Sequence, residues 1–147
     1  MKKYELLVDD TITFFGVQLF RIKALISFSG IEKGEVGGYI ASEKNLSQYG
    51  DAWVYGNAEV YDNAEVYGDA RVSDNADYIV FKNTWSSGRY FTYTKSNRKW
   101  RVGCFYGSGA ELVEKAYKDS KKSGDFYKAY VDFVEKLEAI EDIHKEQ

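Results

Sequence analysis

Residues 53–76 read WVYGNA EVYDNA EVYGDA RVSDNA, four units of six residues with no gap. The second position is always valine (Val54, Val60, Val66, Val72) and the sixth always alanine (Ala58, Ala64, Ala70, Ala76). The fourth is Gly or Asp, and the fifth Asn or Asp. A period of six suits neither an amphipathic helix nor a long alternating strand. It suits short strands joined by tight turns. β-Branched valine favours extended backbone and points inward, while alanine leaves room where the chain bends. Asn and Asp tolerate left-handed corners. Ala52, after Gly50 and Asp51, reads as the tail of an earlier unit, and Tyr78 takes the next valine slot and ends the series.

Composition agrees with a turn-rich protein. Proline is absent, where average usage of ~5% would give about seven, so turns must come from Gly, Asn, Asp and Ser. At 147 residues, 44% hydrophobic and 17% aromatic, the chain can bury one core. Charges interrupt every apolar run well before a membrane-spanning length. The opening MKKYELLVDD has two lysines but no apolar stretch behind them, which argues against a secretory signal. A single cysteine makes no internal disulfide and fits a reducing cytoplasm. The net charge of -3 gives no global push toward duplex nucleic acid.

The repeat resembles the hexapeptide-repeat, left-handed β-helix superfamily, whose best-known members are bacterial acyltransferases; the match spans residues 46–78. That resemblance implies one triangular coil per three units, hence little more than one and a half coils. The whole layout is similar to small phage and prophage proteins of unassigned function. They share a segment like RIKALISF…GEVGGYIASEKNLS, then YGNA-type repeats, then a tail like WSSGRYFTYTKSNRKWRVGCFYGSGAELVEKAY. The expected fold is therefore mainly β with C-terminal helices. A short left-handed β-helix over residues 37–80 is capped by an N-terminal β-hairpin within 1–36. A C-terminal β-hairpin and two α-helices within 81–147 cap the other side. So few inward valines cannot offset the ordering of 24 backbone residues, and open coil ends expose strand edges. The flanks are thus caps on one cooperative unit.

Within the flanks, residues 11–25, TITFFGVQLFRIKAL, predict a hairpin turning at Phe15-Gly16. Residues 89–95 and 99–106, RYFTYTK and KWRVGCFY, predict a second, turning through Ser96-Asn97-Arg98. A helix is expected from about Ala110 and another from about Asp125. In the latter, Phe126, Tyr130, Phe133, Leu137 and Ile140 form an apolar stripe at heptad spacing. The stripe packs within the subunit, with self-association through it or through the coil end as the alternative.

Charge is segregated. From Asp51 to Asp77 there are seven acids (Asp51, Glu59, Asp62, Glu65, Asp69, Asp74, Asp77) against Arg71. From Lys82 to Arg101 there are six bases (Lys82, Arg89, Lys95, Arg98, Lys99, Arg101) and no acid. Aromatic faces interleaved with cations suit a ligand carrying a base and a phosphate. Gly107-Ser108-Gly109 ahead of a helix offers free N–H groups to an anion. The candidate ligand-binding residues are therefore Trp85, Arg89, Tyr93, Lys95, Arg98, Lys99, Trp100 and Arg101, with Gly107, Ser108 and Gly109.

The acyltransferases of the resembled superfamily use a histidine base. Here the lone His144 sits in a charged tail, and acyl transfer needs a base at the reacting hydroxyl or amine. Cys104 reads as a small buried hydrophobe in mid-strand. The acids at a six-residue period do not converge on one metal ion, and no cofactor is expected. The expectation is a non-catalytic binding protein in the cytoplasm of a bacterial host. Similarity to phage proteins implies action on a host factor, by inhibiting or sequestering part of an antiviral defence system. The partner would be a host protein or a phosphorylated nucleotide, with an acyltransferase or an assembly protein as alternatives.

Overall fold

A computed structural model describes residues 1–145 of the chain. It divides into two compact units, one from Met1 to Tyr106 and one beginning at Gly107.

The first unit opens with β1 (Tyr4–Phe14) and β2 (Val17–Ala24), an antiparallel hairpin. It turns where the repeat-free sequence placed the turn: Phe15 and Gly16 both adopt positive φ, 49° and 80°. β1 begins earlier than expected and slips register between Leu7 and Thr11, so Val8, Asp9 and Asp10 bulge from the ladder. β3 (Val36–Ile40) adds antiparallel to β2.

The hexapeptide segment supplies three strands of two residues: β4 (Trp53–Val54), β5 (Glu59–Val60) and β6 (Arg71–Val72). Its inward pattern is as read from the period. Ala52, Val54, Ala58, Val60, Ala64, Val66, Ala70 and Val72 are all buried and join one core with Tyr4, Ile22, Ile40 and Trp53. Ala76 breaks the pattern, exposed in the 3-10 turn Asn75–Asp77.

The expected left-handed β-helix is corrected. The described residues form three separate sheets, and none closes into a solenoid. β5 pairs parallel with β3 and completes a four-stranded sheet in the order β1-β2-β3-β5. β4 and β6 pair parallel in a sheet of their own, Val54 beside Val72. Leu46 and Val66 meet in an isolated bridge. The physical reason is ladder length. Two-residue strands form too few backbone hydrogen bonds to stack as independent coils, and β3, itself held by the 8- and 11-residue strands of the hairpin, takes β5 into that sheet. Gly37 and Gly38 permit this. A Cβ on Gly37 would stand 2.5 Å from the Val54 carbonyl oxygen, and one on Gly38 2.6 Å from that of Ala58.

Asn45 ties the segment together. Fully buried, its Oδ1 accepts from the backbone N–H of Ala41 (3.2 Å) and Ser42 (3.0 Å). Its Nδ2 donates to the carbonyls of Asp62 (3.2 Å) and Ala64 (2.9 Å).

The third sheet runs β10-β9-β8-β7, from β7 (Tyr78–Lys82), β8 (Tyr90–Thr94), β9 (Lys99–Val102) and β10 (Phe105–Ser108). The expected strand over 99–106 is broken at Gly103-Cys104. Gly103 takes positive φ there, and Cys104 is exposed in the turn rather than buried in a strand.

The second unit is an α-helical pair, α1 (Gly109–Asp119) and α2 (Lys121–Lys145). Leu112 and Ala116 of α1, with Tyr127, Val131 and Val134 of α2, are its buried apolar residues. The buried stripe of α2 is therefore offset from the expected one, since Phe126, Phe133 and Ile140 are 38%, 48% and 52% exposed. α2 also starts before Asp125, and Gly124 lies inside it, where the Tyr117 ring leaves no space for a Cβ.

Candidate functional site

Most of the aromatic and basic residues of the β8–β9 hairpin are engaged within the first unit. Tyr93 and Trp100 are buried, their rings 4.9 Å apart, and Trp100 stacks on Phe81 at 6.0 Å. Trp85 is half-buried, edge-on to Phe91. These rings form the core of the third sheet.

The cations are used in a similar way. The Arg101 guanidinium carbon lies 3.9 Å from the Tyr67 ring centroid, and its Nε is 3.9 Å from Glu65 Oε1. Lys99 Nζ stands 5.6 Å from the Tyr106 ring centroid. Lys95 is half-buried, and its backbone N–H donates to the Asp77 carbonyl at 2.9 Å. Arg89 and Arg98 are exposed. Asn97, which the charge pattern passed over, is the hub. Its Nδ2 donates to Asp69 Oδ1 (2.9 Å) and to the Tyr106 hydroxyl (2.6 Å). The Thr94 hydroxyl donates to its Oδ1 at 2.7 Å. The Asn97 hydrogen bond, chief among several contacts, holds the Asp69 carboxyl below its ordinary range. Burial pushes the Tyr106 phenol up, and its O–H donates to the Tyr67 carbonyl at 3.0 Å. The basic hairpin is thus fastened to the acidic segment.

Gly107, Ser108 and Gly109 fall in the second unit. Gly107 is buried and Ser108 is the N-cap of α1. The Ser108 hydroxyl accepts from Glu111 N–H at 3.2 Å, and Glu111 Oε1 accepts from Ser108 N–H at 3.0 Å. This reciprocal cap brings the helix its own carboxylate, which engages the Ser108 N–H, while the Ser108 hydroxyl takes that of Glu111, and the carboxylate opposes a second anion.

A different feature has the shape of a binding site. A groove of about 450 Å³ is lined by Tyr61, Asp62 and Asn63 from a hexapeptide turn, and by Asn75 from the 3-10 turn. Tyr78, Ile79 and Val80 of β7 and Tyr90 of β8 complete it. Its volume falls within the range of ligand pockets, and it combines aromatic, aliphatic and a few polar groups.

The lining divides into anchored and available groups. Tyr78 donates its hydroxyl to the Glu59 carbonyl at 2.8 Å, and burial raises its phenol well above the ordinary value. Asn75 Oδ1 accepts from Glu59 N–H at 2.7 Å. The Tyr61 ring leans on Phe14, centroids 5.4 Å apart. The side chains of Asp62 and Asn63 make no hydrogen bond among the described residues. Lys82, paired across the ladder with Tyr90, places its Nζ 5.8 Å from that ring's centroid.

Asp62 is the sequence signal that was missed. Gly56 and Gly68, its counterparts one unit before and after, take φ of 57° and 64°. Asp62 takes φ 53° with a side chain, a backbone choice that glycine makes more easily. The repeat departs from its cheapest residue at the corner that borders the groove.

Among the described residues no group of three or more His, Cys, Asp or Glu could hold a metal ion. Among the described residues no helix is long and apolar enough to cross a membrane. His144 is exposed on the last turn of α2. No protein-family model matches the chain, and no curated protein matches its sequence.

Proposed function

We propose that this chain is a non-catalytic binding protein of the phage or prophage type. It acts on a host factor in the bacterial cytoplasm, and the tyrosine-lined groove is its contact surface. The groove carries this reading: three tyrosines, two aliphatic side chains and the unengaged polar ends of Asp62 and Asn63 converge on one cavity. Polar side chains with no hydrogen bond among the described residues are the ones able to fix a partner's orientation. The resemblance of the sequence layout to small phage proteins suggests the host factor as target. The tyrosines with raised phenols other than Tyr117 (Tyr4, Tyr78 and Tyr106) donate to backbone carbonyls, which is structural use rather than proton transfer.

Site-specific photocrosslinking tests it. A photoreactive residue at position 63, expressed in a bacterial host, is expected to trap a partner that the same residue at position 114 does not. The crosslink should disappear in an Asp62→Asn, Tyr90→Ala background. Equal trapping from both positions would remove the groove as contact surface. A thermal shift with acetyl- or succinyl-coenzyme A, followed by turnover, would instead return the protein to the acyltransferases.

A further inference from the structure

We infer that the groove takes a cationic side chain, lysine or arginine, from an extended basic segment of the partner protein. This rests on the groove being the contact surface. Tyrosine faces are electron-rich and attract cations, most strongly with a carboxylate near by. Tyr61, Tyr78 and Tyr90 line the groove together with Asp62, and no Lys, Arg or His lines it. The protein seats its own cations in the same way. The Arg21 guanidinium lies 4.3 Å from the Tyr39 ring centroid, Arg101 packs on Tyr67, and Lys82 stands over Tyr90.

Charge complementarity selects the occupant. Asp62 is the one charged side chain of the groove lining, so a basic segment is favoured there and an acidic one repelled. At about 450 Å³ the groove holds one long side chain with its flanking backbone. A nucleotide would also find stacking faces here, and Lys82 separates the two cases. A bound cation is repelled by Lys82, whereas a phosphate is attracted to it.

The full-length chain is titrated with a short lysine-rich peptide, with its fully lysine-acetylated form, and with adenosine monophosphate. Calorimetry gives affinity, and the side-chain amide resonances of Asn63 and Asn75 report groove occupancy. The lysine peptide is expected to shift both amides and the acetylated form to leave them in place. Asp62→Asn keeps a residue that tolerates the left-handed corner and should weaken the peptide about three- to tenfold. Lys82→Ala should tighten it about two- to fivefold. Weakening by Lys82→Ala, or equal binding of the acetylated peptide, overturns the cation proposal. Amides that respond to the nucleotide alone also overturn it, while the groove stands as contact surface. If no probe moves the amides, the cation proposal falls, and the crosslink from position 63 decides separately whether the groove falls with it.

Discussion

The Arg101 guanidinium stacks on Tyr67, 3.9 Å from carbon to ring centroid, joining the third sheet to the hexapeptide segment. Arg101 Nε is buried without a hydrogen-bond partner, since Glu65 Oε1 is 3.9 Å away. Stacking therefore outweighs ion pairing at this contact. Arg101→Ala is expected to lower stability by about 1–2 kcal/mol. A double-mutant cycle with Tyr67→Ala should show a coupling of about 0.5–1 kcal/mol. Strict additivity in urea unfolding would refute the contact.

The triple change Arg98→Ala, Lys99→Ala, Arg101→Ala separates the two candidate surfaces. With the groove as contact surface, the folded triple variant should hold the lysine-rich peptide within about twofold of the unmodified chain. Binding of adenosine monophosphate that the triple change weakens by more than about tenfold, with the circular dichroism spectrum unchanged, would return the site to the basic hairpin.

Lys3 is buried, its Nζ donating to the carbonyls of Ala52 (2.7 Å) and Gly50 (3.3 Å) and standing 4.9 Å from the Phe28 ring centroid. Burial lowers its pKa from 10.5 to about 8, partly opposed by Asp51. Between those values the unfolded chain binds more protons than the folded one, so stability rises with pH. Between pH 7.5 and 9.5 the gain should be about 1–2 kcal/mol. Above pH 10 the raised phenols of Tyr4 and Tyr78 act oppositely, because the folded state then holds the extra protons. Lys3→Met should flatten the lower window. A variant that retains the rise would assign it to another group.

Asn45→Ala strands the Ser42 N–H and the carbonyls of Asp62 and Ala64 at a fully buried side chain, while the Ala41 N–H keeps its bond to the Val60 carbonyl. Each unsatisfied group carries a penalty of about 1–3 kcal/mol where water cannot enter. The expected loss is at least about 3 kcal/mol, read as a fall in the urea midpoint. A loss below about 1 kcal/mol would mean that water replaces the amide.

Two glycines test close approach against backbone conformation. Gly38→Ala drives a methyl against the Ala58 carbonyl and the Val54 side chain, and overpacking of this kind costs about 1–3 kcal/mol or more. Gly56→Ala meets nothing within 4 Å but keeps φ at +57°, which costs about 1 kcal/mol. Gly38→Ala should be the more damaging in thermal unfolding; the reverse order would show that β3 does not lie against the hexapeptide segment as described.

By itself the sequence determined which side chains turn inward and where the chain reverses. Valine and alanine at every sixth step from Ala52 to Val72 are buried because apolar surface leaves water whatever the sheet arrangement. The turns at Phe15-Gly16 and around Asn97 follow from residues that accept tight backbone. Strand partnership was decided only in three dimensions. Two-residue strands carry too little ladder to choose their own neighbours, so β5 pairs with β3 at the edge of the hairpin's sheet instead of closing a coil. The functional surface was equally illegible, for a related reason. Interleaved aromatics and cations look the same on paper whether the rings face solvent or, like Tyr93 and Trp100, close a core. The groove draws Asp62, Asn75, Tyr78 and Tyr90 from four places in the chain, and only folding brings them to one cavity.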